Sequence, residues 1–391
     1  MQEKLTIIID NMKNKIIFIL GFFLFNSASG QTSIAGVQLI GNIKGIGDSK
    51  LYIGKIGDYF MNAQIVDSFA CKNDSFNYRT NIPVNNSLYC IKDINGQFIY
   101  FLPENDKIVI HGVSDNLIHS TIFGSENNML LSDYWKSIFI ISNKMMPLYS
   151  SLNKAQEEHD TIIFKQIKKQ IDSLNLVMRI FPENFVAVNY EKTASAVVLY
   201  LYLGQYKSDK FKLIVLYKKL NKKVQESPMG KKISDFIASL EACEVGKPFI
   251  DFELKNRDNK SITISSLKGK CFLIEFWTTW CGPCRGELPT LSKAYEKYKP
   301  KGFEIISISL DNSKHNWINA LDKQNSPWIQ TIINNSESFN NYLAPFESDV
   351  AKAYSIQNVP ANYLINPEGI IIAVDLRGKA LLDKLIEIYK E

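Results

Sequence analysis

Residues 272–289 read FLIEFWTTWCGPCRGELP, an apolar run followed by two cysteines that are separated by two residues. The run 272–277 predicts a buried β-strand, and the residues after Pro283 predict the start of a helix. Cys281 would then lie at the N-terminus of this helix, where unpaired backbone N–H groups and the helix dipole favour a thiolate over a thiol. The stretch therefore predicts a redox-active pair of cysteines and not a disulfide that only stabilises the fold.

The two cysteines have different predicted roles. Cys281 is the nucleophile that attacks a disulfide. Cys284, one turn further into the helix, is shielded and resolves the mixed disulfide that Cys281 forms. Between them, Pro283 removes a hydrogen-bond donor and stiffens the turn, and Gly282 lets the backbone of a partner come close.

Two cysteines at this spacing can also be interpreted as half of a zinc site. Such a site needs a second pair of cysteine or histidine ligands. None of the histidines has the spacing of a ligand, and they are His111, His119, His159 and His315. We therefore expect neither a metal nor another cofactor.

The order Trp-Cys-Gly-Pro-Cys at residues 280–284, after an apolar strand, resembles the thioredoxin signature. Residues 284–289 resemble the TlpA/ResA-like envelope branch of that superfamily, and the likeness covers about residues 244–391. It implies an α/β thioredoxin fold with an additional N-terminal hairpin at 249–264. The other predicted elements follow the same plan: strand 303–310, helix 316–323, segment 328–333, helix 350–354, hairpin 363–375 and helix 381–390, with a long loop at 334–348.

Glu275 interrupts the apolar strand six residues before Cys281. Burial of a carboxylate is costly, and desolvation would raise its pKa so that it can hold a proton near neutral pH. The resemblance implies that Glu275 takes the proton from Cys284 as that thiol attacks, whereas the alternative is an edge glutamate that reaches solvent. Glu287, one turn after Cys284, matches an acid that tunes the thiols in this branch, and the alternative is an exposed helical glutamate.

Val359-Pro360 lies far downstream of the cysteines. The resemblance implies that this bond is cis, that Pro360 faces the disulfide, and that the backbone of Val359 pairs with a substrate chain. The turn residues 366–369 support this assignment, since a hairpin is expected next. Of the two tryptophans near the cysteines, Trp280 is expected on the docking surface and Trp277 inside.

The other cysteines are expected to take no part in the chemistry. Cys271 begins the strand and reads as a buried apolar residue, and Cys243 reads as a bystander. Cys71 and Cys90 lie in a β-like region, where a disulfide and two buried thiols are both open interpretations.

At 391 residues the chain is long enough for two or three domains, and its net charge of +5 is small. No lysine- or arginine-rich block stands out, so nucleic acid is not an expected partner. Residues 1–30 have the basic, apolar and small-residue parts of a signal peptide, with translation from Met12 as an alternative start. The apolar run of ten residues, 16–25, is shorter than the roughly 20 needed to span a bilayer, so we expect export to the periplasm or cell envelope.

Two further regions precede the thioredoxin-like domain at 244–391. Residues 31–124 contain short β-like segments separated by turn residues, which predict a small antiparallel β-sandwich. This region resembles the uncharacterised β domain that precedes TlpA/ResA-like modules in envelope proteins. Residues 125–243 predict a helical region, with an apolar stripe from Ile163 to Met178 and a helix that begins at Ser227-Pro228.

These observations predict an exported thiol-disulfide oxidoreductase that reduces protein disulfides. Its partners would be disulfide-bearing protein substrates and an upstream thiol reductant, which can be membrane-embedded. A disulfide oxidase or isomerase is one alternative, because partners set the direction of exchange. A binding protein that uses the fold as a scaffold is another, and a peroxidase, for which Thr278 precedes Cys281 by three residues, is a third.

Overall fold

A computed structural model of the chain describes residues 36–57, 63–203, 209–333 and 344–390. The predicted signal peptide at 1–30 and the alternative start at Met12 lie outside the described residues. So do residues 334–343, which are most of the predicted long loop. After this gap, Ala344–Glu347 form a short 3-10 helix.

The N-terminal part of the described chain is β-rich, as predicted. In chain order its strands are β1 (Gln38–Lys44), β2 (Ser49–Ile56), β3 (Ala63–Cys71), β4 (Ser75–Arg79), β5 (Tyr89–Lys92), β6 (Phe98–Phe101), β7 (Lys107–Val113) and β8 (Thr121–Phe123). As far as the structure describes them, they form two four-stranded sheets, β4-β1-β7-β8 and β3-β2-β5-β6. Pairing is antiparallel apart from β1 with β7, which are parallel. Alternate residues of both sheets, such as Leu39 and Ile53, share one apolar core.

Cys71 and Cys90 are reduced and buried, so the open question about a disulfide is answered. Both flank β2, where Cys71 pairs with Ser49 and Cys90 with Gly54. Cys71 packs into the core between the two sheets, whereas Cys90 packs into a second core on the other side of its sheet. The two thiols therefore point to opposite faces and cannot bridge.

Helices cover that other side of the β3-β2-β5-β6 sheet. They are α1 (Glu126–Glu157), α2 (Thr161–Val188), α3 (Thr193–Leu201), α4 (Lys210–Lys219), α5 (Lys222–Gln225) and α6 (Pro228–Ala242). Helix α6 begins as predicted, because the hydroxyl of Ser227 accepts the N–H of Gly230. The stripe on α2 is buried at Ile171, but Ile163 is 48% exposed. In the part of the chain that the structure describes, no helix has both the length and the apolar character needed to cross a bilayer.

The C-terminal part has the predicted thioredoxin fold. Its strands are β9 (Glu253–Asn256), β10 (Ser261–Thr263), β11 (Phe272–Trp277), β12 (Glu304–Ser309), β13 (Ile329–Ile332), β14 (Ala361–Ile365) and β15 (Ile371–Val374). Its helices are α7 (Gly282–Tyr298), α8 (Lys314–Gln324), α9 (Asp349–Ala353) and α10 (Lys379–Tyr389). Within the described ranges, the strands form one sheet in the order β10-β9-β13-β12-β11-β14-β15.

The central strand β11 positions the site. It pairs in parallel with β12 and antiparallel with β14, and all six of its residues are buried. Leu273 packs beneath α7 and α10, whereas Ile274 and Phe276 pack on the opposite face of the sheet. Because side chains alternate along a strand, Glu275 projects to the same face as Leu273, beneath the helix that carries the two cysteines.

Candidate active site

Cys281 lies where β11 gives way to α7. It is the N-cap residue of α7, and its Sγ accepts a hydrogen bond from the backbone N of Cys284 at 3.0 Å. Pro283 occupies the first turn, where its missing N–H costs no helix bond. Cys281 and Cys284 are joined by a disulfide. The sulfur of Cys281 therefore lies at the positive end of the helix, as the sequence predicted.

The surface over the disulfide is formed by few side chains. Trp280 is 53% exposed and Trp277 is buried, as expected. Gly282 and Pro283 are exposed beside Trp280. Cys281 and Cys284 are 4% and 3% exposed, so burial does not distinguish the two sulfurs in this oxidised state. Cys284 is buried, as expected, and Cys281 is buried with it in the apolar cluster that contains Trp277 and Trp317.

Glu275 is a buried acid in the middle of the sheet. Its strand neighbours are Ser307 on β12 and Asn362 on β14, so an edge position that reaches solvent is excluded. Burial raises the pKa of Glu275 from 4.5 to about 7. A hydrogen bond from the Ser307 hydroxyl and the charge of Arg377 oppose this rise, and the charge of Glu287 adds to it. Near neutral pH the carboxyl can therefore either hold or accept a proton.

Glu287 is not a simple exposed helical glutamate. It is half-buried, and its Oε2 accepts a hydrogen bond from the backbone N of Gly378 at 2.9 Å. This bond connects α7 to the segment between β15 and α10. Glu287 thus contacts a residue that lies 91 positions further along the chain. Its negative charge also raises the pKa of Glu275.

The Val359-Pro360 bond is cis, as the resemblance implied. Val359 packs against the cluster that contains Cys281, Cys284 and Trp317, so this segment lies against the disulfide. The predicted turn follows at 366–369, where Gly369 has a φ of 84° and its N donates to the Asn366 carbonyl.

The structure adds Asp311, for which the sequence predicted no role. Its carboxylate, at the end of β12, accepts bonds from the backbone N of Thr279 at 3.1 and 3.0 Å and from the Thr279 hydroxyl at 2.7 Å. The Ser309 hydroxyl donates a further bond at 2.6 Å. Burial raises the pKa of Asp311. Because Arg285 also donates to the Thr279 carbonyl at 2.6 Å, the loop just before Cys281 is held from two sides.

Cys243 and Cys271 lie outside the cluster that contains the disulfide. Burial raises the pKa of Cys271 to about 12. The thiol of Cys243 donates to the Ala353 carbonyl at 3.0 Å. Over the described ranges of the chain, no group of three histidine, cysteine, aspartate or glutamate side chains is arranged to hold a metal ion.

Both the C-terminal and the N-terminal parts of the chain are similar to known proteins. Residues 245–374 match the AhpC/TSA family, and residues 37–131 match a domain of unknown function, DUF4369. The thiol-disulfide oxidoreductase ResA of Bacillus subtilis is 30% identical over 140 residues, which are 35% of this chain and 70% of that protein. ResA of Oceanobacillus iheyensis is 32% identical over 145 residues, which are 36% of this chain and 69% of that protein.

A solved structure of the thioredoxin domain of a thiol-disulfide oxidoreductase from Bacteroides vulgatus is 30% identical and covers 37% of this chain and 97% of its own, with a TM-score of 0.34. The C-terminal domain of a thiol-disulfide oxidoreductase from Bacteroides thetaiotaomicron is 35% identical and covers 38% of this chain and 97% of its own, also with a TM-score of 0.34. Since it is 30% identical to a ResA protein of which it covers 70%, the chain belongs to the ResA-like family of thiol-disulfide oxidoreductases.

Proposed function

We propose that the protein reduces disulfides of protein substrates, with Cys281 as the nucleophile and Cys284 as the resolving thiol. The observation that carries the proposal is the position of Cys281 at the N-cap of α7 with the buried carboxyl of Glu275 beneath the same helix. The helix N-terminus stabilises the attacking thiolate, and the acid handles the proton of the second thiol.

The reaction begins with the reduced pair. The Cys281 thiolate attacks one sulfur of the substrate disulfide, the substrate S–S bond breaks, and a substrate thiolate leaves. Cys284 then gives its proton to the Glu275 carboxylate and attacks the sulfur of Cys281. The second substrate thiolate leaves, and the Cys281–Cys284 disulfide forms. Two electrons have passed to the substrate, and an upstream thiol reductant returns them to the pair.

The docking surface follows from the residues around the disulfide. We assign it to Trp280, Gly282, Pro283 and the Val359-Pro360 segment, because these residues are exposed or packed against the ring. Pro360 has no N–H and its carbonyl accepts a hydrogen bond from Arg377, so we assign the pairing with a substrate chain to the backbone of Val359. Glu287 is assigned to tuning of the site through its charge on Glu275.

Export and domain organisation are part of the proposal. Residues 1–30 act as a signal peptide that delivers the protein to the periplasm or cell envelope, and residues 31–124, 125–243 and 244–391 form three domains. The helices of 125–243 share a core with one sheet of the β-sandwich, so the helical region packs directly on the N-terminal domain. N-terminal sequencing of the exported protein is expected to begin at Gln31, and retention of residues 1–30 contradicts this point.

An oxidase or isomerase with the same residues remains the second candidate. The Gly282-Pro283 dipeptide favours reduction, since thioredoxin, which has this pair, has a potential of about −270 mV. Equilibration of the purified protein with glutathione of known redox ratio measures the potential. A value near that of glutaredoxins or above would favour oxidation or isomerisation.

Insulin reduction tests the activity itself. We expect the wild type to precipitate insulin chains, Cys281→Ala to be inactive, and Cys71→Ala, which alters a buried cysteine of the β-sandwich, to match the wild type. Cys284→Ser is expected to accumulate a mixed disulfide with the substrate, which a reducing gel releases. Full activity of Cys281→Ala would refute the proposed function, and identification of the trapped partner would name a substrate.

A further inference from the structure

Arg377 lies at the end of the sheet that carries the chemistry, although it is nearly a hundred residues from the cysteines. It follows β15, which runs antiparallel to β14, and β14 runs antiparallel to β11. The end of β15 therefore returns to the start of β14, where Pro360 lies, and to the end of β11, where Glu275 lies.

The guanidinium group of Arg377 binds the cis-proline segment directly. Its Nη2 donates a short hydrogen bond to the Pro360 carbonyl, and its Nη1 donates to the Leu376 carbonyl at 3.0 Å. The side chain of Asn362, which is buried, fixes the same backbone, because it donates to the Leu376 carbonyl at 2.7 Å and accepts from the Leu376 N at 3.0 Å. Hydrogen bonds thus hold both the guanidinium group of Arg377 and the backbone of Leu376 beside the cis-proline segment.

The position of Arg377 matters because its charge acts on Glu275. On its own strand and the two beside it, Glu275 has a hydroxyl, Ser307, and an amide, Asn362, as its neighbours. From α7 the charge of Glu287 acts on it, and from the segment before α10 the charge of Arg377 acts in the opposite sense. Asp375 pairs with Arg377 at 3.5 Å, and this partner is 40% exposed. Arg377 is therefore the positive charge that favours the ionised form of the buried acid.

We propose that Arg377 is a positioning residue of the exchange reaction, which holds the Pro360 carbonyl for substrate docking and supplies the positive charge that keeps Glu275 able to accept the proton of Cys284. The inference rests on the proposed roles of Pro360 and Glu275. It assigns two separable effects to one side chain: the hydrogen-bonding fork acts on docking, and the charge acts on proton transfer.

Two variants separate the effects. Arg377→Lys keeps the charge but loses the planar fork, and Arg377→Gln loses both. For insulin, we expect KM to rise about tenfold in both variants, as the loss of a charge-assisted hydrogen bond would predict. The matched control is Arg257→Gln, because Arg257 forms a half-exposed ion pair with Asp322 at 2.6 Å on the hairpin of the same domain.

Proton transfer is measured in a single turnover with a chromogenic aromatic disulfide. The reduced protein releases one coloured thiolate when Cys281 attacks and a second when Cys284 resolves the mixed disulfide. The second phase speeds up as Glu275 ionises, so its pH midpoint reports on that acid. We expect the midpoint to move to higher pH in Arg377→Gln and to stay at the wild-type value in Arg377→Lys and Arg257→Gln.

A failure of the proposal for Arg377 can be distinguished from a failure of the proposed function. If Arg377→Gln has the KM and the midpoint of the wild type while Cys281→Ala is inactive, Arg377 has no such role and the proposed function stands. If Arg257→Gln shifts the midpoint as much as Arg377→Gln does, the shift comes from the loss of any positive charge in the domain, and the role proposed for Arg377 is overturned. If Arg377→Gln does not fold, an unchanged KM in Arg377→Lys overturns the docking role, and a wild-type midpoint in Arg377→Met, which removes the charge but keeps a long side chain, overturns the charge role.

Discussion

Glu275→Gln should make the protein more stable at alkaline pH and slower in its chemistry. The pKa of Glu275 is about 7 in the folded protein and 4.5 when unperturbed, because burial disfavours the carboxylate. Between these values the folded chain keeps a proton that the unfolded chain has lost. Stability therefore falls as pH rises through this window, and it stays lower above it.

The size of this effect follows from the two pKa values. Their difference corresponds to about 3 kcal/mol of unfolding free energy, which is lost as the pH rises from below 4.5 to above about 8. Glutamine has no proton to lose and retains a carbonyl oxygen for the Ser307 hydroxyl. The stability of Glu275→Gln relative to the wild type should thus increase by up to about 3 kcal/mol between those two conditions.

Denaturant unfolding of the oxidised protein, followed by tryptophan fluorescence, measures this difference. Of the five tryptophans, only Trp135 lies outside the thioredoxin-like domain, so the signal reports mainly on the transition of that domain. Comparison of the variant with the wild type at each pH cancels the titration of all other groups. In the single-turnover assay, the second phase should slow about 100-fold while the first phase keeps its rate.

Glu304→Gln is the matched control. Glu304 lies on the neighbouring strand β12, is also buried, and forms an ion pair with Lys299. Its replacement should lower stability at neutral pH, because Lys299 loses its partner, and it should leave both kinetic phases unchanged. The reasoning is refuted if Glu275→Gln gains no stability at alkaline pH, or if it resolves the mixed disulfide at the wild-type rate.

Three further outcomes follow from the contacts. Asp311→Asn places an amide N–H against the N–H of Thr279 and should cost about 2 kcal/mol while lowering kcat in insulin reduction; an unchanged kcat would show that the loop needs no anchor. Gly54→Ala puts a methyl group 2.6 Å from the Cβ of Ala63 and 3.1 Å from the sulfur of Cys90, and should cost about 1–3 kcal/mol by denaturant unfolding, with normal single-turnover kinetics; slower kinetics would show that packing in the β-sandwich affects the active site. Cys271, whose burial raises its pKa to about 12, should resist a thiol-alkylating reagent in the native state, which mass spectrometry would detect.

Local sequence was enough to predict the reactive centre. An apolar run long enough to be buried on both faces predicted β11, and a proline two residues after Cys281 predicted the start of α7. These two elements together determine that Cys281 is an N-cap residue and that Glu275 is buried. Both inferences need only the short stretch 272–283, which is why the sequence alone supports them.

Contacts between distant residues could not be predicted in the same way. Asp311 reaches Thr279 because β12 and β11 are parallel neighbours in register, and no spacing in the sequence encodes that register. The faces of Cys71 and Cys90 likewise depend on how β3 and β5 pair with β2. A polar residue directly after an apolar strand, such as Asp311, was the one available signal, and such residues are also common in ordinary turns.

The C-terminal hairpin shows why this register matters to the site. The turn at 366–369 and the irregularity at Leu364 and Ile365 make Tyr363 pair with Val374. Arg377, three residues beyond Val374, consequently lies opposite Pro360, three residues before Tyr363. A shift of one residue in this pairing would turn the side chains of β15 to the other face of the sheet and carry the guanidinium group away from Glu275. The sheet thus brings together an acid on its central strand, a docking segment and a cation from near the end of the domain, although neither their order nor their spacing in the chain indicates that they meet.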